Sequence, residues 1–156
     1  MKKGVRILFL ILGLSAIIAG AARPVCAGLG ESSGSIESDR NVLSASRHTM
    51  TALSGYTVEE ITSDSVAVRE YIAPSGVVFG IAWNGLVHPD LAPLLGSYAE
   101  EYQQALEQTP RKPGRRRLQV KTPRVVVEKW GHMRNLRGRA YAPALIPPGV
   151  SIDEIK

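Results

Sequence analysis

Residues 66–102, VAVREYIAPSGVVFGIAWNGLVHPDLAPLLGSYAEEY, switch from a two-residue to a three-to-four-residue apolar repeat within one short stretch. That switch demands a β-hairpin followed directly by an amphipathic helix, and so a sheet with a helix on one face. Val66, Val68 and Ile72 fall on one side of the first strand, with Ala67, Arg69 and Tyr71 on the other. Ala73-Pro74-Ser75-Gly76 has the Pro and Gly placement of a type I turn. In the returning strand, Val77, Phe79, Ile81 and Trp83 are expected to share a buried face. Asp90 is placed to cap the helix, and Pro93 is tolerated only in its first turn. Leu91, Leu94, Leu95, Tyr98, Tyr102 and Leu106 form the apolar stripe. Gly96 weakens the helix by about 1 kcal/mol relative to Ala and marks a site for a kink.

The N-terminus carries a different signal. Lys2, Lys3 and Arg6 precede an apolar run from Ile7 to Ala19, followed by small residues up to Ala27. This is the pattern of a signal peptide over residues 1–27, too short for a comfortable membrane span. The expected location is therefore outside the cytoplasm, periplasmic or secreted. Cys26 is the only cysteine, so a mature chain starting at Gly28 would hold neither a disulfide nor a thiol nucleophile. Its charge would also be nearly balanced, at 15 basic against 14 acidic residues, although the whole chain carries a net +5.

Three regions follow the leader. Residues 28–55, rich in Gly, Ser and Thr, read as a flexible segment able to add an edge strand. Residues 56–150 read as a single α+β domain, and residues 151–156 as a C-terminal tail. The expected fold is a small antiparallel sheet of four to five strands with one main amphipathic helix, Asp90 to Glu107, packed on one face. Leu136 to Ala142, interrupted by Gly138 and flanking arginines, reads as an edge strand.

Charge is divided along the chain. Residues 28–109 hold 11 acidic and 3 basic residues, whereas residues 110–156 hold 12 basic and 3 acidic ones. The simplest account is a basic half folded against an acidic half. The alternative is a surface for an anionic polymer or an envelope component, centred on the basic run Arg111 to Arg117. Nucleic acid is disfavoured as a partner, because no aromatic residue interrupts that run. The partner itself is not identified by these features.

Chemistry-bearing residues are few. His48, His88 and His132 lack metal-binding spacing, so neither a metal nor a cofactor is expected. No nucleophile elbow and no glycine-rich phosphate loop is present. Glu70 falls on the apolar side of its strand, where a carboxyl must be paired or neutral. The weak binding candidates are Arg69, Glu70, His88, Asp90, His132 and Arg134. An enzyme using Glu70, Asp90 and the histidines is the rival to a non-catalytic binding or accessory module. An envelope-associated structural protein is the third reading.

Arg69-Glu70-Tyr71, Trp83, Pro89-Asp90-Leu91, Leu95-Gly96 and Gly131-His132-Met133 occur in one order. With VREYIAPSGVVFGIAWNG and VVVEKWGHMRNLRGRAYAPALIPPGV, they make the chain resemble the domain of unknown function 2844 family over Tyr56 to Val150. Where that family usually has Gly-Pro after the tryptophan, this chain has Asn84-Gly85-Leu86. The resemblance implies an exported bacterial protein and brings no activity, cofactor or site residue with it.

Overall fold

Seven strands, β1 (Arg47–Leu53), β2 (Tyr56–Thr62), β3 (Val66–Ile72), β4 (Val78–Gly85), β5 (Arg117–Lys121), β6 (Val126–His132) and β7 (Asn135–Tyr141), form one sheet in a computed structural model. The structure describes residues 28–32, 47–53, 55–110, 114 and 116–156, without the side chains of residues 47 and 48. The expected leader, with Cys26, lies outside the described residues. So do the His48 side chain and, within the basic run, Arg111, Lys112, Pro113 and Arg115.

The strand order is β1-β2-β3-β4-β7-β6-β5, and every pairing is antiparallel. This corrects the expected four-to-five-strand sheet, although the fold remains broadly α+β. Two features account for the difference. β1 comes from the Ser- and Thr-rich segment and pairs with β2 along its whole length. β5, β6 and β7 form a second meander that joins the first through β4 and β7.

β7 sits in the middle of the sheet, not at its edge. Gly138 suits this position because it lies opposite Trp83, and a Cβ there would overlap the indole. The arginines that made the segment look edge-like, Arg137 and Arg139, point away from the helix, where neighbouring strands offer polar company.

The helical run covers one face. Asp90 accepts a hydrogen bond from the Ala92 N–H at 3.0 Å and starts α1 (Leu91–Leu95). Gly96, at φ +51°, breaks the helix into a 3-10 turn (Gly96–Tyr98), after which α2 (Ala99–Gln108) continues. Leu91, Leu94, Leu95, Tyr98 and Tyr102 bury their stripe against Ile61, Val68, Ile81, Trp83, Val120 and Val127. Each such side chain contributes roughly 1.5–3 kcal/mol by leaving water. Leu29 joins this core, and its N–H donates to the Leu94 carbonyl, so residues 28–32 are docked to the helix and to β4.

A β-bulge where Tyr71 and Ile72 meet β4 changes the expected facing of the second strand. Ile81 and Trp83 keep the expected face under the helix, where Val78 joins them in place of Val77, but Phe79 turns to the opposite face. There it makes edge contacts with Tyr56 and Tyr71, at ring separations of 5.9 and 6.2 Å. An extra residue inserted in a strand reverses the alternation beyond it.

That opposite face holds a second, smaller core of Tyr56, Tyr71, Phe79, Val126 and Tyr141. The C-terminal segment covers it. Ile155 is fully buried against Gly80, where a Cβ would collide with its side chain. Sequence positions 151–156 therefore behave as part of the packed structure.

Candidate functional site

The sheet face opposite the helix resolves into three transverse rows, each crossing neighbouring strands in register. The first is apolar: Val58, Tyr71, Gly80, Tyr141 and Val126. The second is charged: Glu60, Arg69, Ala82, Arg139, Glu128 and Gln119. The third is Ala67, Asn84, Arg137, Trp130 and Arg117. The C-terminal tail is anchored to the first two rows.

The anchoring is specific. Arg69 donates through Nε to Glu60, and through Nη1 to the Lys156 main-chain oxygen at 3.0 Å. Arg139 does the same on the other side. Its Nε donates to Glu128 Oε2 at 2.6 Å, and its Nη1 to the Ile152 carbonyl at 2.9 Å. Tyr56 donates its hydroxyl to Glu154 Oε2 at 2.8 Å, and Tyr71 bonds to the Lys156 main chain. Burial, then the bond to Glu154, pushes the Tyr56 phenol up to about 12.

Glu128 is almost fully buried and takes three donors, from Arg139, Arg117 and Gln119. Burial pushes its carboxyl up, but the hydrogen bonds and charges of Arg139 and Arg117 outweigh that and hold it below the usual range. The second row is thus electrostatically closed.

The third row is open. A cleft of about 350 Å³ is lined by Ala67, Arg69, Asn84, Trp130, Arg137 and Lys156 among others, and no acidic residue lines it. A second depression, of about 290 Å³, shares Trp130 and Lys156 with the first and reaches Arg117, Arg139 and the Glu128 carboxyl that both arginines bond. Trp130 therefore stands between the two, half-buried, with Arg137 and Arg117 directly opposite it on either neighbouring strand. Arg137 is exposed, and its side-chain partner among the described residues is Asn135 Oδ1, at 3.0 Å. Arg117 is 66% exposed and bonds Glu128 Oε1 at 3.0 Å.

The six residues singled out from the sequence are scattered. Arg69 and Glu70 are adjacent but face opposite sides of the sheet. Glu70 lies under the helix, directly across from Glu59, with both carboxylates buried and both engaged by other groups of the chain. Asp90 is spent on the helix cap. His88 accepts a hydrogen bond at Nδ1 from Trp83 Nε1, at 2.9 Å, and stacks edge-on to that indole. Burial, then the nearby Lys129 charge, lowers its pKa. His132 is exposed at the end of β6, and Arg134 holds the left-handed position (φ +64°) of the β6–β7 turn. Only Arg69 lines the cleft. Among the described residues no three His, Cys, Asp or Glu side chains gather to hold a metal ion.

Sequence reasoning missed Asn84, Arg117, Trp130 and Arg137 as a group. The usable signal was alternation: Glu128 and Trp130, like Arg137 and Arg139, stand two apart and so share a face.

The family described as "Protein of unknown function (DUF2844)" matches residues 25–155. The chain belongs to this family. The DUF2844 match spans the docked residues 28–32, all seven strands, the helix and Ile155, so both faces of the sheet lie inside it. No curated protein and no solved structure matches the chain. Among the described residues of this DUF2844 protein, no helix is long and apolar enough to cross a membrane.

Proposed function

We propose that this chain is an exported, non-catalytic binding module whose ligand is an anion held on the open row beside the tail. One observation carries the reading: Trp130 is flanked in register by Arg137 and Arg117, next to a cleft lined by Arg69, Arg137 and Lys156 and by no Asp or Glu side chain. An aromatic surface between two guanidinium groups gives an anionic ligand both stacking area and charge-assisted hydrogen bonds. Glu70, Asp90, His88 and His132 are not gathered around one reacting position, so the row supports binding better than acid–base chemistry. The leader-like residues 1–27 support export to the periplasm or beyond.

A generic polyanion, polyacrylate, tests the binding surface in the purified protein. It should shift the Trp130 indole resonance, and the double variant R117A/R137A should keep its unfolding temperature while losing most of the affinity. Equal affinity in that variant overturns the reading. If removing the charges of Arg111, Lys112, Arg115 and Arg116 abolishes binding instead, contact belongs to the basic run of an envelope-associated protein. Export is tested separately, by fusing residues 1–27 to a phosphatase that is active only outside the cytoplasm; an inactive fusion removes that part.

A further inference from the structure

Resting on that reading, we infer that the ligand is an acidic polysaccharide, with one uronate ring seated on Trp130 and its carboxylate held by Arg137. The row is Asn84, Arg137, Trp130 and Arg117, on four consecutive strands of the sheet. With adjacent strands about 4.8 Å apart, it spans roughly 14 Å, enough for more than one sugar.

Each position supplies what such a chain needs. The indole offers a flat apolar surface to the C–H face of a sugar ring, and its N–H has no partner among the described residues. Arg137 keeps both terminal nitrogens of its planar fork free of carboxylates among the described residues, and that fork matches a carboxylate bidentately. Asn84 is exposed directly across from Arg137, and its amide both donates and accepts, as hydroxyl groups require. On the far side of Trp130, Arg117 can leave Glu128 at little cost, because Arg139 and Gln119 still satisfy that carboxylate. Two arginines whose backbones stand about 10 Å apart, one on each side of the aromatic residue, suit acids repeated along a polymer.

The same row argues against nucleic acid. Single strands bind where successive bases stack on successive aromatic side chains, and this row has one. The neighbouring aromatic residues Tyr56, Tyr71 and Phe79 are sealed under the tail.

The test titrates the purified protein with oligogalacturonate and with alginate oligomers, reading the two indole N–H resonances, which W130F assigns. The Trp130 signal should move while the Trp83 signal, bonded to His88, should not. R137A should weaken binding about tenfold or more, R137K should recover only part of it, and affinity should fall with added salt. Carboxyl-reduced oligomers of the same sugars should not bind. The inference is overturned if the reduced oligomers bind equally, if neither acidic oligomer binds, or if an oligo-dT of matched charge binds more tightly. In the last case the anion-binding surface stands and only the ligand class falls. If polyacrylate also leaves Trp130 unmoved, the surface itself falls.

Discussion

The Tyr71 hydroxyl and the Lys156 main chain exchange two hydrogen bonds, one in each direction, at 2.9 and 3.0 Å. One phenol therefore both donates to and accepts from the Lys156 main chain, beside the Arg69 guanidinium that holds the same oxygen. Removing that hydroxyl with Tyr71→Phe should cost about 1 kcal/mol of unfolding free energy. Ile155→Ala, which empties a fully buried site over Gly80, should cost about 2–4 kcal/mol. Urea unfolding of the two variants checks this order. Near-wild-type stability for Ile155→Ala would mean the tail is not part of the core.

Gly138→Ala should be among the most disruptive single-methyl changes in the protein. The new Cβ would meet the Trp83 indole and the Glu128 carbonyl, neither of which can move aside cheaply. A loss of about 3 kcal/mol is expected, at the upper end for overpacking. Displacing the indole should also break its bond to His88, visible as an upfield shift of the Trp83 N–H resonance.

His88 makes stability depend on pH in a stated direction. Its folded pKa lies below the ordinary 6.5, so between those values the unfolded chain binds the extra proton. The contribution is complete above pH 6.5 and is lost as the pH falls below it. Protonation at Nδ1 would also remove the acceptor for Trp83 Nε1. The Trp83 indole resonance should therefore titrate below pH 6.5, and His88→Gln should abolish that titration. A Trp83 signal that stays flat down to acid unfolding would contradict the geometry.

Glu128→Gln should destabilise by about 3 kcal/mol at neutral pH, because it leaves Arg139 facing a neutral partner on a largely buried row. The carboxyl is held below its ordinary range in the folded state. Its stabilisation is present above the unfolded value of about 4.5 and disappears as pH falls through the folded one. The variant and the wild type should thus converge in acid. A constant gap from pH 7 to pH 3 would show that packing, not charge, holds the site.

The hairpin and helix were readable because β3, the Asp90 cap and the Leu91-to-Tyr102 stripe obey local periodicity. Phe79 was misplaced because the bulge that turns it over is set by pairing with Tyr71 and Ile72, which no repeat in β4 encodes. β7 was misread for a related reason. Its arginines look solvated until Glu128 arrives from β6, and Gly138 looks like a defect until Trp83 lies across it. The Asn84–Arg137–Trp130–Arg117 row is equally non-local. It puts an aromatic residue between basic ones across strands, where a search along the basic run cannot find it.

The tail has a consequence for the order in which the chain can fold. Tyr56 and Glu154 are 98 residues apart, and Tyr71 and Lys156 are 85 apart, yet they meet over one aromatic patch. Contacts that distant form late, because a long loop must close before they give anything back. A chain emerging N-terminus first from a ribosome would keep Tyr56, Tyr71 and Phe79 uncovered until residues 151–156 had also emerged. Residues 151–156 are the closing step for that patch, since its aromatic rings have no cover until Glu154, Ile155 and Lys156 reach them.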